Sequence, residues 1–461
     1  MNKNILLKKT CLAVATSMIS MTAMAEVTIS GWLNEGLNYY DDGNVTNFSQ
    51  SSDNGTTLGS RITFAAKSDL PAGLNAGVEL IIEPESLQSP LITSNQNGGS
   101  LTGSFLTDTG IGTNGGASLS NNGRHALRVL GNSIYFGGAF GKFTIGKLSP
   151  ASDNIAVLDD PSLTLWSTIS PVFRGNSFTI QNLAGSANGV GLLDAVGLTT
   201  IGTTWGDFMS CMGTNNALVG GAGIGIDCGD GDYNQGLRYD LPTFIPNLSI
   251  AASYGNKDMY DVSGKYHNML GRLKWSISMG YTYSGQGGVI EGFNETDPSK
   301  ARTGGSDTYQ MQTGLMDPVT GLFGSVAYQH ESANNVTAAA KAAVFAASGG
   351  TLQDETDAWW FKGGIKKAFN SLGDTSISFN YGQMDDQYTF VSALDGVTGS
   401  QVERIGASID QYFGSSLIIY GNWQRLSLNV DQSAVSFNSV TNNFQTSDDL
   451  DFFTLGLTYF F

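Results

Sequence analysis

Few residues of this chain are of the kinds that carry out catalysis. Its histidines are His125, His267 and His330. None of them belongs to an H-E-x-x-H helix pattern, and no G-x-S-x-G nucleophile turn is present. Because acid–base and nucleophilic catalysis need such groups at fixed spacing, the sequence predicts a protein that is not an enzyme and that uses no cofactor.

A short acidic segment has the residue types that bind metal ions. Asp227, Asp230, Asp232 and Asn234 lie within eight positions of one another. In an EF-hand loop beginning at Asp230, however, Gly236 would take the seventh position instead of the sixth, and no Glu stands at the twelfth. We therefore predict no metal site and interpret the segment as a solvated acidic loop, with loose divalent binding as the alternative.

The N-terminus predicts export. Three lysines within the first nine residues precede an apolar stretch, 11–24, which ends in the small-x-small sequence Ala23-Met24-Ala25. These are the three parts of a secretory signal peptide. The stretch is too short and too often interrupted by Ser and Thr to be a membrane anchor. We expect residues 1–25 to be the signal peptide and residues 26–461 to be the single folded domain.

Export also bears on the two cysteines of the mature chain. Cys211 and Cys228 flank a glycine-rich segment. In an oxidising compartment an even pair of this kind predicts a disulfide that would staple a loop. Two free thiols are the alternative.

Composition and charge exclude several classes of protein. Loss of the signal peptide leaves 20 basic against 40 acidic residues, a net charge of −20, which argues against a nucleic-acid partner. Disorder is excluded because 41% of residues are hydrophobic and 10% aromatic. The 60 glycines favour strands and turns, and no later apolar run is long enough for a transmembrane helix.

Hydrophobic residues recur at every second position over long stretches. From 273 to 284 one predicted face carries Leu273, Trp275, Ile277, Met279, Tyr281 and Tyr283. The other face carries Lys, Ser, Gly and Thr. The C-terminal stretch repeats this pattern with Phe453, Leu455, Leu457, Tyr459 and Phe461. A period of two indicates β-strands, and strands of about ten residues can cross a membrane when tilted.

The connections between these stretches alternate in length. The short ones are 69–73, 137–141, 242–247 and 317–321, and the long polar ones are 41–57, 83–122, 285–307, 332–357 and 427–447. An Ala-rich part of one long connection, 337–348, predicts a short helix. The alternation is typical of an all-β transmembrane antiparallel barrel with short periplasmic turns and long extracellular loops. Length predicts about 16 strands, with 18 as the alternative, and a soluble β-sandwich is the rival fold.

Five segments are distinctive when taken together. They are Val27-Thr28-Ile29-Ser30-Gly31, Gly59-Ser60-Arg61-Ile62-Thr63-Phe64, Phe140-Gly141-Lys142-Phe143-Thr144-Ile145-Gly146-Lys147, Leu237-Arg238-Tyr239-Asp240-Leu241-Pro242 and the ending Leu457-Thr458-Tyr459-Phe460-Phe461. These segments resemble one family, the general trimeric porins of Gram-negative outer membranes. The ending resembles the sorting signal of the family, carried by Leu457, Tyr459 and Phe461. Two departures are Ala65, where a second arginine is common, and Glu35 on an apolar face.

The resemblance implies a pore narrowed by an inward-folded constriction loop within 149–171. Its acidic residues would be Asp153, Asp159 and Asp160, and its basic wall would consist of Arg61, Lys67, Lys147 and Arg238. Strand period independently turns Arg61, Lys67 and Arg238 toward the lumen. For Lys147 the period predicts the opposite face, so that a lumen position would require a bulge.

Together these features predict a water-filled outer-membrane channel for passive diffusion of ions and small hydrophilic solutes. The resemblance implies a homotrimer in contact with outer-membrane lipid and lipopolysaccharide. A solute-specific channel is the first alternative. A plugged-barrel adhesin or structural protein is the second.

Overall fold

A computed structural model gives the fold. It describes residues 26–43, 46–51, 59–85, 126–156, 160–165, 178, 180, 205–209, 233–255, 259–284, 306–334, 336, 338–388, 396–433 and 447–461. The predicted signal peptide, 1–25, lies outside the described residues.

The described chain forms one antiparallel sheet of seventeen strand segments. The first nine are β1 Glu26–Asp41, β2 Thr46–Ser51, β3 Arg61–Leu70, β4 Leu74–Glu85, β5 Ala126–Gly138, β6 Gly141–Leu148, β7 Asn234–Asp240, β8 Leu248–Gly255 and β9 Met259–Leu270. The others are β10 Leu273–Ser284, β11 Ser306–Met316, β12 Leu322–Ala333, β13 Glu355–Asn370, β14 Gly373–Asp385, β15 Val397–Phe413, β16 Leu417–Gln432 and β17 Leu450–Phe460.

The sheet closes into a barrel of 16 strands, which confirms the predicted number. Segments β2 and β3 count as one barrel strand because both pair with β1, β2 along its second half and β3 along its first. The last strand, β17, pairs with the remaining edge of β1. Gly31 and Phe461 exchange two backbone hydrogen bonds of 3.0 and 3.1 Å, which complete the closure at the C-terminus.

The two faces of the barrel differ in polarity. On β17 Leu455 is 62% exposed and points outward, whereas its neighbours Thr454 and Thr458 point inward and are buried. Apolar side chains outside and polar ones inside are the reverse of a soluble sandwich. The barrel is therefore built to face lipid, and the rival sandwich fold is wrong.

The two ends of the barrel differ in the length of their connections. At one end tight turns join the strands, for example the 3₁₀ turn Pro71–Gly73. At the other end most connections are long, although only residues 256–258 separate β8 from β9. We call these ends periplasmic and extracellular. The extracellular β12–β13 connection contains the predicted helix, α1 Ala338–Ser348. In the described part of the chain no helix is long and apolar enough to cross a membrane.

Candidate functional site

The connection from β6 to β7 folds into the barrel, and Arg238 of β7 holds its first residues. The Arg238 guanidinium donates through Nη1 to the carbonyl oxygens of Ser149 and Pro150, at 3.1 and 3.0 Å. Its Nε and Nη2 donate to Oδ1 of Asp240, at 3.0 and 2.8 Å. Arg238 faces the lumen, as predicted, and fixes the point at which the loop turns inward.

A buried carboxylate on β9 holds the next residues of the loop. Asp261 is 4% exposed and accepts hydrogen bonds from the backbone N and the Oγ of Ser152, each at 2.7 Å. The Ser152 hydroxyl also lies 2.6 Å from Oγ1 of Thr282 on β10. Gly280 lies beneath the loop, because a Cβ there would come within 3.0 Å of Ile155. The loop is thus in close contact with the inner wall of β9 and β10.

A buried ion pair holds the far part of the loop. Nζ of Lys362, on β13, lies 2.8 Å from Oδ2 of Asp160 and 2.6 Å from the carbonyl oxygen of Thr164. Both charged side chains are fully buried. Oδ1 of Asp160 accepts the backbone N and the Oγ of Ser162. Burial would raise the pKa of Asp160, but the Lys362 ammonium and these hydrogen bonds outweigh it and hold that pKa below 3.8.

The loop then descends toward the periplasmic end of the barrel. Lys366 donates to the carbonyl oxygen of Ser162 at 2.9 Å, and its ammonium lies 4.0 Å from the ring centroid of Tyr412. The Tyr412 hydroxyl donates to the carbonyl oxygen of Leu163 at 3.2 Å. Tyr412 is the penultimate residue of β15. The loop therefore runs obliquely along the wall from β7 to β15.

The opposite inner wall, formed by β1 and β3–β6, carries Arg61 and Lys67. Arg61 pairs across the strands with Glu83 at 3.2 Å, and its guanidinium lies 4.7 Å from the centroid of Trp32. The Lys67 ammonium is half-exposed and lies 3.5 Å from Asp69. Both residues have the predicted lumen-facing parity. A recess of about 370 Å³ lies on this wall, lined among others by Lys67 and Glu79.

Asp153 lies in the part of the loop that is in electrostatic reach of this wall. Its carboxylate accepts hydrogen bonds from Ser149 at 2.5 Å and from Asn154 at 2.6 Å. Burial raises the pKa of Tyr233 to about 12, while Arg61 acts to lower it and Asp153 to raise it. The Tyr233 hydroxyl therefore lies close enough to both Arg61 and Asp153 for their charges to affect its pKa. Asp159 lies outside the described residues.

The family resemblance implied a lumen position for Lys147, and the structure contradicts it. The β5–β6 and β6–β7 pairings are continuous and contain no bulge, so Lys147 shares a face with Phe143 and Ile145. Ile145 is 61% exposed on the outside of the barrel. The Lys147 ammonium donates to the carbonyl oxygen of Val129 at 3.2 Å. Strand period, not resemblance, predicted its position correctly.

Exposure of the inner wall is uneven around the barrel. On β10–β14 the inward side chains are almost completely covered, and the fully buried ones include Ser278, Gln312, Lys362 and Ser378. On the other side the side chains of Lys67 and Lys142 are 56% and 48% exposed. The accessible part of the wall therefore lies around Lys67 and Lys142 on β3–β6, opposite the loop. Nearer the extracellular end of this wall the side chains of Arg61 and Glu83 are only 15% and 6% exposed.

Two predicted sites concern other parts of the chain. Cys211 and Cys228 lie outside the described residues. The residues of the predicted sorting signal, Leu457, Tyr459 and Phe461, all point outward and are about half exposed.

Among the described residues no group of three or more His, Cys, Asp or Glu could hold a metal ion.

The sequence analysis missed three residues of the loop anchorage, Asp261, Lys362 and Lys366. Each is a charged residue at an inward position of a strand; Asp261, for example, lies between the outward Tyr260 and Val262. Parity could therefore have identified them as lumen residues. It could not have identified the loop residues that they bind.

A closed barrel with a polar interior, an apolar exterior and an inward-folded loop defines the class of outer-membrane channels. The sequence profile of the Gram-negative porins matches residues 10–432, more than nine tenths of the chain. The chain belongs to the Gram-negative porin family. It is an outer-membrane channel for passive diffusion and not an enzyme.

Solved porin structures share the fold at low sequence identity. The anion-selective porin from Comamonas acidovorans is 13% identical, with a TM-score of 0.53 over 95% of this chain and 100% of its own. OmpF of Salmonella typhi, in complex with daunomycin, is 11% identical, with a TM-score of 0.50 over 95% and 98%. No curated protein sequence matches the chain. At these identities the likeness concerns the fold alone.

Proposed function

We propose that ions and small hydrophilic solutes pass between the inner wall of β3–β6 and the loop, 149–165. The single observation that carries this proposal is the anchorage of the loop by Arg238, Asp261 and Lys362, which leaves the opposite wall accessible. In this arrangement the constriction has a fixed width, because each anchor is a charged group with several hydrogen bonds.

We further propose that a transverse field acts at this constriction, with Arg61 and Lys67 on the wall and Asp153 on the loop. Asp160 and Arg238 have close partners of opposite charge, Lys362 and Asp240, which reduce their contribution to the field. Glu83 and Asp69 reduce the contributions of Arg61 and Lys67 in the same way, at 3.2 and 3.5 Å. Lys147 takes no part, since it lies on the outer face. The role of Asp159, on the same loop, rests on the family resemblance.

Removal of the Arg61 charge should change ion selectivity. In Arg61→Ala the Glu83 carboxylate loses the guanidinium that lies 3.2 Å away, so the net charge at this point of the wall becomes more negative. We expect the reversal potential under a salt gradient to shift toward cation preference. The measurement is made on purified protein in planar bilayers.

Glu83→Gln is the matched control, because it removes the other member of the same pair and should shift the reversal potential in the opposite direction. Lys67→Ala tests the second basic residue. Unchanged selectivity in both Arg61→Ala and Glu83→Gln would contradict the assignment of the wall. No conductance in the unsubstituted protein would contradict the channel itself and favour a plugged barrel.

We also propose that the protein assembles as a homotrimer, in contact with outer-membrane lipid and lipopolysaccharide around its outer face. Support comes from Glu35, which points outward from β1 beside the exposed Leu33 and Leu37. The β1–β17 pairing is continuous there, so no bulge turns it inward. A carboxylate that faces lipid is costly, whereas a subunit contact would keep it away from the acyl chains.

Substitution of Glu35 should therefore weaken the trimer. We expect Glu35→Ala to lower the temperature at which trimers dissociate in detergent, as followed by light scattering and by gel migration of heated samples. Glu403→Ala, on the outward face of β15, is the control. If Glu35→Ala trimers dissociate at the same temperature as the unsubstituted protein, Glu35 is not at the contact.

A further inference from the structure

Part of the inner wall is apolar, contrary to the general polarity of this barrel. Near the extracellular ends of β1 and β14–β17 the lumen-facing positions are occupied by large apolar side chains. They include Tyr40, Met384, Val402, Leu426, Leu450 and Phe452, and each is at most 2% exposed. Because these positions face the lumen, something inside the barrel must exclude water from them.

The covering side chains come from the same β6–β7 connection that forms the constriction loop. Phe178 packs edge-on against Tyr40 and Phe452, with ring centroids 4.8 and 5.0 Å apart. Trp205 donates its backbone N–H to the Phe178 carbonyl oxygen at 3.0 Å. Trp205 and Phe208 belong to a short 3₁₀ helix and are 1% and 0% exposed. We call Phe178, Ile180 and 205–209 the interior cap.

Two further contacts connect the cap with its surroundings. Val344 of α1 is fully buried in the same cluster, so the extracellular helix contributes to the packing around the cap. Leu165, at the end of the described constriction loop, packs against the cluster as a partly buried side chain. The constriction loop is therefore supported at Leu165, just beyond its anchor at Lys362.

We propose that the interior cap closes the extracellular half of the lumen beside β1 and β14–β17 and supports the constriction loop, so that cap packing sets the width of the open path along β3–β6. The role of the interior cap is separate from the proposed transverse field. It rests on the channel function only because one of its two tests measures conductance. Apolar residues at lumen positions have no role in a water-filled path. They are explained if that sector of the barrel is filled.

The test is the double variant Phe178→Ala/Trp205→Ala in the full chain, compared with Phe379→Ala. Phe379 is an outward residue of β14, 67% exposed, and leaves the lumen unchanged. We expect single-channel conductance of the double variant to rise about 1.5-fold or more, with greater open-channel noise, and that of Phe379→Ala to stay as in the unsubstituted protein. Unchanged conductance and noise in a folded double variant would overturn the proposal.

A second measurement does not depend on conduction. Leu426→Cys places a thiol under the cap at a position that is 1% exposed. A charged thiol reagent added to assembled protein should modify this cysteine slowly in the single variant and at least about tenfold faster when the cap substitutions are also present. Mass spectrometry identifies the modified peptide, which separates it from Cys211 and Cys228. Equal rates with and without the cap substitutions would overturn the proposal, whatever the selectivity of Arg61→Ala.

Discussion

Replacement of Lys362 by methionine should release the constriction loop from the barrel wall. The substitution leaves the Asp160 carboxylate buried without its cation, and removal of one member of a buried pair costs about 3–5 kcal/mol. The Thr164 carbonyl loses its donor as well. Since the backbone pairing of β13 with β12 and β14 does not involve either side chain, we expect the loop to leave the wall while the barrel stays folded. Single-channel recording should then show altered conductance with frequent transitions between levels.

Lys367→Met is the matched control for this substitution. Lys367 is on the same strand, points outward and is exposed, so its loss should leave conductance unchanged. The double variant Lys362→Met/Asp160→Asn should regain steadier conductance, because it leaves no unpaired buried charge. Steady, unchanged conductance in Lys362→Met would contradict the role of the buried pair.

The pH dependence of the loop follows from the same pair. The pKa of Asp160 in the folded protein lies below its ordinary value of 3.8. A group with a lowered folded pKa stabilises the fold fully above its unfolded pKa and loses that contribution as the pH falls through the lowered value. The loop should therefore stay anchored from neutral pH down to about pH 4. In Lys362→Met the buried carboxylate has lost the cation that lowers its pKa, so protonation of Asp160 in acid should partly restore the anchored loop.

The fold was predictable because its signals are local. Alternation over 273–284 and at the C-terminus depends only on neighbouring residues, and it determined which face of each strand meets lipid. The same parity placed Arg61, Lys67 and Arg238 in the lumen and placed Lys147 outside. For Lys147 the family resemblance was the weaker guide, since the strand contains no bulge.

The anchorage of the loop could not be predicted because its contacts connect distant parts of the chain. Asp160 and Lys362 are 202 positions apart, and Ser152 and Asp261 are 109 apart. No period relates such residues. The interior cap was missed for a different reason: Leu426 and Phe452 fit an inward parity, but the general polarity of barrel interiors gave no reason to expect a covered apolar patch there.

Arg238 should affect the channel in two ways, through its hydrogen bonds to the loop and through its positive charge, and substitutions can separate the two. Its guanidinium holds the carbonyl oxygens of Ser149 and Pro150 and pairs with Asp240. Arg238→Lys keeps the charge but cannot reproduce the planar fork, and each hydrogen bond to a charged donor contributes about 1.5–3 kcal/mol. We expect Arg238→Lys to increase open-channel noise while the reversal potential stays near that of the unsubstituted protein. Arg238→Ala should increase the noise and also shift the reversal potential toward cation preference.

Lys142→Ala provides the complementary control. Lys142 pairs with the same Asp240 carboxylate, at 3.3 Å, from the neighbouring strand β6. The Ser149 and Pro150 carbonyl oxygens are held by Arg238. The loss of the Lys142 charge should therefore shift the reversal potential without adding open-channel noise. If Arg238→Lys is as quiet as the unsubstituted channel, the guanidinium fork does not hold the loop. If Arg238→Ala and Lys142→Ala both leave the reversal potential unchanged, the charge around Asp240 lies outside the path of the ions.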